Sequence, residues 1–343
     1  MNAWKLKPGA GISGLKRSDA TMRSPGPTEV VVKVHAASLN YRDLMFARGD
    51  YLGIGDAPLI PLCDGAGEVI ETGRDVSRFK SGDRVVNTYF PRWIDGAPTP
   101  WKVDGSPGAK VNGVLAERFL VDETALAVIP AHLGYDEAST LSCVGVTAWN
   151  ALFVDGDAKP GSTVVLLGTG GVSIFALQLA RAAGLRTIIT SSSDEKLERA
   201  RKLGADETIN YRAKPEWQNE VLRLTDGVGA DIVLEIGGRD TLPRSVAATK
   251  MGGLVSIIGG VSGFSGPELG LLPVIGGIKR LHGIMVGSRS MLDEVVRFVS
   301  AHQIRPVVDH VFGFDDAPAA YRHLESGQHF GKVVVRIDAG NLY

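Results

Sequence analysis

Apolar positions alternate first along the chain. Over residues 28–37, Val30, Val32 and Val34 share one face, the period of a half-buried strand. A polar loop, Ser38-Leu39-Asn40-Tyr41-Arg42-Asp43, follows it. Short β segments recur at 67–71, 83–86 and 116–121, separated by Gly, Pro and Asp turns and by no long helix-period segment. That spacing predicts a small all-β, barrel-like domain. Residues 91–113, rich in Gly, Pro and Trp and without periodicity, read as an ordered surface loop.

From about residue 126 the pattern changes. Strand candidates at 163–167, 186–190, 207–209, 231–236, 254–258 and 281–286 alternate with helical stretches at 172–183, 194–203, 215–225, 241–251 and 269–278. Six strands with intervening helices predict an α/β, doubly wound domain on a six-stranded parallel sheet. Ser193 is placed to cap the second helix, with Asp194 and Glu195 at its positive end. A helix at 291–302, a segment at 306–312, a helix at 315–326 and a strand at 332–337 break the alternation and are expected to return to the first domain. The expected division is therefore 1–125 with 289–343, against 126–288.

Within that pattern, the strand at 163–167 runs into Gly168-Thr169-Gly170-Gly171-Val172-Ser173 and then a helix. In this order glycines let the backbone approach a pyrophosphate at a helix N-terminus. Serine replaces the third glycine or alanine of the full fingerprint, and a small side chain still permits close helix–strand packing. A glycine turn alone is weak, but strand and helix flank this one as a dinucleotide site requires. Gly168, Thr169, Gly170, Gly171 and Val172 are the candidate phosphate loop. Ligands of open α/β sheets bind at the carboxyl ends of strands, which adds Gly259, Gly260 and Val261 after the fifth strand and Val286 and Gly287 after the sixth.

Composition narrows the class. A length of 343 residues fits two domains at about 150 each. Acidic residues (38) and basic residues (37) nearly cancel, so nothing favours nucleic acid or an anionic membrane. The N-terminus does not resemble a signal peptide, and no run of about 18 apolar residues exists to span a bilayer. Two cysteines, Cys63 and Cys143, cannot make a disulfide framework. A soluble, cytoplasmic protein is expected.

The β-rich lobe, the doubly wound unit and the short return resemble the medium-chain dehydrogenase/reductase superfamily over essentially the whole chain, nearest its quinone-oxidoreductase-like and zinc-type alcohol-dehydrogenase-like members. The motifs are Asn40-Tyr41-Arg42-Asp43, Gly65-Ala66-Gly67-Glu68-Val69, Gly145-Val146-Thr147-Ala148-Trp149, the Gly168 loop and Gly331-Lys332-Val333-Val334. The resemblance implies a GroES-like β-rich catalytic domain, a Rossmann domain and a homodimer paired through the sixth strand. It implies that Asn40 holds the nicotinamide ribose or substrate region and that Thr147 contacts the ribose or phosphate. Phe330 and Lys332 would close over the cofactor, although Gly331 between them also reads as a hairpin turn. Tyr41 is a candidate proton donor or oxyanion partner, or packs under the loop. Asp43 reads as a brace for that loop.

An NAD-selective site carries a carboxylate about 20 residues beyond the glycines. Here that register is Thr190-Ser191-Ser192-Ser193. Hydroxyls at Ser191 and Ser192 would accept a 2′-phosphate, and Lys196 and Tyr211 fall where similar quinone reductases bind it, with Arg212 as an added candidate. Asp194 reaching the ribose is the opposing reading. NADPH is the expected cofactor.

Zinc members of the family place a Cys, a His-Glu pair and a later Cys where this chain has Asn40, Cys63-Asp64 and Cys143. Asn is a poor zinc ligand and the histidine is missing, so no metal is expected, with Cys63, Asp64 and Cys143 left as a non-standard alternative. Without a Lewis acid, alcohol oxidation is hard, whereas hydride transfer to a quinone or α,β-unsaturated carbonyl delocalises the oxyanion. The sequence thus favours a zinc-free NADPH-dependent reductase acting on a small hydrophobic carbonyl or quinone. An alcohol/aldehyde dehydrogenase-reductase and a non-catalytic NADPH-binding protein are the other readings. Trp93 and Trp101 in the 91–113 insert line the substrate cleft or merely decorate the surface.

Overall fold

The computed structural model describes residues 1–51, 55–265 and 269–337. It divides into two compact units, Met1–Val146 with Gly287–Tyr343, and Thr147–Val286.

The first unit carries β1 (Asn2–Lys5), β2 (Lys16–Asp19), β3 (Glu29–Ser38), β4 (Asp64–Thr72), β5 (Arg84–Asn87), β6 (Arg118–Asp122) and β7 (Leu126–Val128). Its long strand β3 is the hub, pairing antiparallel with both β4 and β6. Val30, Val32, Val69, Phe79, Val85 and Leu126 close one buried cluster under these strands. Residues 126–146 belong here rather than with the second unit, because β7 extends the sheet through β5 and the chain turns helical only afterwards. The turns that follow, Leu141–Gly145 and Asn150–Val154, are π-helical.

In the second unit β8 (Thr163–Leu166), β9 (Arg186–Ser191), β10 (Glu207–Asn210), β11 (Ala230–Glu235), β12 (Thr249–Ile257) and β13 (Arg280–Gly283) form one parallel sheet in the order β10-β9-β8-β11-β12-β13. The order reverses between β8 and β11, the point where doubly wound sheets open a ligand crevice. Val165, Ile188, Ile209 and Val233 of the strands pack with Trp217 and Val221 of the helix Trp217–Leu224.

The returning tail contributes β14 (Val308–Gly313) and β15 (Lys332–Arg336), and β15 pairs antiparallel with β3. The first unit is thereby closed by the chain's last described strand, which carries Lys332 to the end of β3.

Three local expectations change. The polar loop after β3 is in fact the start of a helix, Tyr41–Arg48, which periodicity misses because it spans only two turns. The helix expected to reach 251 ends at Ala248, and the strand begins at once at Thr249, with Gly252 in the left-handed region where the register shifts. The sixth strand stops at Gly283, and Val286 sits beyond it at φ 52°.

Candidate active site

Asn40 caps the helix Tyr41–Arg48. Its N–H donates to Asp43 Oδ2 at 2.7 Å, while the Asp43 N–H donates to the Asn40 carbonyl at 2.9 Å. That reciprocal pair fixes the backbone and leaves the Asn40 amide side chain for other partners. Its Nδ2 donates to Asp64 Oδ2 at 2.8 Å and approaches Cys63 Sγ at 3.5 Å, and its Oδ1 accepts from Lys332 Nζ at 2.6 Å. Lys332 Nζ also donates to the Leu39 carbonyl and lies 3.7 Å from Asp64 Oδ2. Ser38 Oγ donates to the same Asp64 oxygen at 3.2 Å, and Cys63 Sγ donates to Asp64 Oδ1 at 3.2 Å. Asp64 is wholly buried and Lys332 nearly so. A buried ion pair is tolerable only when further hydrogen bonds saturate both partners, and here they do.

The backbone under this network is braced from two sides. Asn87 at the end of β5 accepts the Gly65 N–H and donates to the Cys63 carbonyl. Leu62, just before Cys63, is held at φ 67°, an uncommon conformation for a non-glycine residue. Gly331 is required at φ 87°, since a Cβ there would lie 2.5 Å from the Val307 carbonyl oxygen. It turns the chain so that Lys332 enters β15.

Burial sets the titration of the neighbours. Burial pushes the Cys63 thiol well up, and a hydrogen bond with Cys143 adds to the effect. Burial also lifts the Asp43 carboxyl to about 6, against the pull of Arg42 and of the Asn40 N–H. The Tyr89 hydroxyl is raised by burial as well. Tyr41 packs against the apolar core, and Arg48 at the far end of its helix pairs with Glu325. Two tyrosines near the buried cluster, Tyr51 and Tyr89, have hydroxyls 3.2 Å apart, and the Arg42 guanidinium lies over both rings. Neither stands out in the sequence, because only the fold brings them to Arg42.

The 91–113 insert is ordered. Trp93 is buried, with its indole N–H donating to the Gly96 carbonyl, whereas Trp101 is 65% exposed. The insert reaches the site region through Pro107, whose carbonyl accepts from Arg42 Nη2 at 3.0 Å.

In the second unit a cleft of about 530 Å³ opens where the sheet order reverses, lined among others by Gly168, Thr190, Tyr211, Trp217, Arg244 and Val261. Gly168 has φ 70°, and its N–H donates to Thr190 Oγ1 at 3.2 Å. The first-turn amides of the helix Gly171–Ala182 have no intrahelical acceptors, as an anion site needs. Ser173 is fully buried and donates to the Leu167 carbonyl at 2.6 Å, tying the helix to its strand. This bond accounts for serine at the third position of the fingerprint. Among the specificity candidates, Ser191 Oγ accepts the Ser193 N–H and Ser193 Oγ accepts the Lys196 N–H. Asp194 receives a hydrogen bond from Asn210 at 2.7 Å. Gly259 and Gly260 follow β12, and the Gly259 N–H donates to Glu235. Thr147 is buried, and the Val286 carbonyl accepts from Asn150 Nδ2 at 2.8 Å. In the first unit Gly287 follows directly, and Phe330 is buried. Arg244, a cleft residue bonded to Glu216 and to the Asp240 carbonyl, had no sequence motif to mark it.

Comparison with known proteins matches residues 26–131 to the alcohol dehydrogenase GroES-like domain and 171–301 to zinc-binding dehydrogenase. A zinc-type alcohol dehydrogenase-like protein of Schizosaccharomyces pombe is 45% identical, over 91% of this chain and 92% of its own. The chain belongs to the medium-chain dehydrogenase/reductase superfamily. A quinone oxidoreductase of Pseudomonas aeruginosa is 30% identical over 94% of this chain and 95% of its own. A putative alcohol dehydrogenase from Sinorhizobium meliloti superposes with a TM-score of 0.89 at 38% identity, covering 98% of this chain and all of that one. Its relatives in this superfamily are oxidoreductases, and the GroES-like and Rossmann folds expected from the sequence are both present.

The zinc implied by the family does not fit these residues. Catalytic zinc takes thiolate, imidazole or carboxylate ligands. Here the first ligand position is an amide already bonded on both of its ends, and the Cys63 Sγ hydrogen-bonds Asp64. The Lys332 ammonium stands against Asp64, where a dication would be repelled. Among the described residues no group of three or more His, Cys, Asp or Glu side chains is arranged to hold a metal.

Proposed function

We propose that the protein is an NADPH-dependent reductase that delivers hydride to a conjugated carbonyl, a quinone or an α,β-unsaturated ketone, without a metal. The observation that carries this reading is the Lys332–Asn40–Asp64 network, which fills the place of the ligand set with a saturated ion pair. Conjugated acceptors tolerate that loss, because the negative charge formed on hydride addition spreads over the acceptor itself.

Bound NADPH would supply the hydride. The Gly168 turn and the N-terminus of the helix Gly171–Ala182 would hold its pyrophosphate. At the end of β9 the chain offers Thr190, Ser191 and Ser192 in place of a carboxylate, with Lys196 and Tyr211 beyond. Asp194, held by Asn210, leaves the 2′-phosphate reading favoured. Asn40 would help orient the acceptor through its fixed amide, while the buried surroundings of Asp64 exclude water.

We further propose a homodimer. Strand β13 is an edge of its sheet, and Leu271, Leu272, Ile275 and Ile278 beside it are 69–79% exposed. A second copy would cover both an open edge and an apolar surface. The two free cysteines fit a reducing, cytoplasmic compartment.

Cofactor choice tests the dinucleotide part of this reading. With a quinone acceptor, kcat/KM for NADPH should exceed that for NADH by about tenfold or more, the scale of one charge-assisted phosphate contact. Parity, or a preference for NADH, would contradict it.

A further inference from the structure

Among the described residues of the first unit two cations are buried, and they differ in one respect. Lys332 is saturated by Leu39, Asn40 and Asp64. Arg42 is not. Its side chain is only 7% exposed, yet just one of its nitrogens, Nη2, has a partner, the Pro107 carbonyl at 3.0 Å. Among the described residues Nε and Nη1 have no hydrogen-bond partner, and Asp43 Oδ1, 4.0 Å from Nε, has none either. The guanidinium lies over Tyr51 and Tyr89, 5.0 Å and 4.8 Å from their ring centroids. Its field reaches Cys63, which hydrogen-bonds Asp64 and Asn40.

A guanidinium kept for structure alone normally satisfies its five donors, since a buried charged donor without an acceptor is costly. Asp43 can balance the charge of Arg42 but does not reach Nη1. The Nε and Nη1 N–H groups are the part of this guanidinium left to bind, and a carboxylate is the acceptor matched to its fork.

We propose that Arg42, lying over the rings of Tyr51 and Tyr89, anchors a carboxylate on the acceptor, so that the preferred substrate is an acidic conjugated ketone, an oxo-alkenoate. This rests on the reductase reading above and narrows its substrate class. In the reaction the alkene takes a hydride from NADPH and a proton from solvent, and the carboxylate is unchanged. Arg42 is thus a specificity residue, with the Tyr51 and Tyr89 hydroxyls beside it as further donors to the acid.

The test compares 4-oxopent-2-enoate with its methyl ester, which differ in charge but share the same enone. Wild-type protein should favour the acid by about tenfold or more in kcat/KM, as one charge-assisted contact allows. In Arg42→Met the acid-to-ester ratio should fall to near one, with an intermediate ratio in Arg42→Lys. An ester reduced as well as the acid by wild-type protein, or an unchanged ratio in Arg42→Met, would overturn the proposal. If Arg42→Met does not fold, the wild-type ratio and the Arg42→Lys ratio decide. Reduction of 1,4-benzoquinone and the ester without preference for the acid sinks this inference alone. No NADPH oxidation with any conjugated acceptor sinks the reductase reading too.

Discussion

Asn40 is the residue on which the buried network turns, since among the described residues its amide alone bonds both Lys332 and Asp64. Replacing it with alanine leaves each of them short of a hydrogen bond, a loss of about 1–3 kcal/mol in stability. If the amide also orients the reactants, Asn40→Ala should lower kcat/KM by about tenfold or more. Full activity in that variant would remove Asn40 from the mechanism. Lys332→Met should be worse for folding, by about 3–5 kcal/mol, because Asp64 is then buried without its cation. Urea unfolding of both variants checks the ranking.

Asp43 offers a pH signature. Its carboxyl sits at about 6 in the folded protein, above the usual carboxylate value, because burial disfavours the charged form. The folded state therefore holds this proton more tightly than the unfolded one. The stabilisation is complete below about pH 4 and is lost as pH rises through 6, a change of about 3 kcal/mol. The difference in unfolding free energy between wild type and Asp43→Asn should fall over that window, and a flat difference would contradict the buried-carboxyl account.

The elements that matter most are the turns. Gly168 needs its positive φ to let the strand feed the helix, so Gly168→Ala should weaken NADPH binding measured by fluorescence titration while leaving the sheet intact. Unchanged affinity would remove the loop from the site. The second unit was readable in the sequence because its strands are near-continuous apolar runs punctuated by glycine, a pattern that local chemistry dictates. The helix Tyr41–Arg48 was not. It is short, and what stabilises it is the Asn40–Asp43 cap and tertiary packing, which periodicity cannot register. Lys332 was legible as a motif residue but not as the partner of Asn40 and Asp64, because 292 positions separate it from Asn40 along the chain. Tyr51 and Tyr89 were silent for the same reason, and Arg42 was marked only as a motif position. Their meaning lies in a juxtaposition made by the fold.

For the whole molecule, the open β13 edge and its exposed leucines and isoleucines argue for a second copy. Sedimentation should give a dimer, and Leu272→Glu with Ile275→Glu should shift it toward monomer without loss of fold. A wild-type monomer at micromolar concentration would contradict the assembly. Among the described residues no ligand set fits zinc, and on the proposed reading this favours conjugated acceptors over alcohols.

The most direct measurement is NADPH oxidation by chelator-treated protein, followed at the nicotinamide absorbance with quinones, enones and aldehydes in parallel. Turnover of quinones or enones at undiminished rate after metal removal is the expected result. Activity confined to aldehydes and restored only by added zinc would contradict the account and return Cys63, Asp64 and Cys143 to the role of metal ligands.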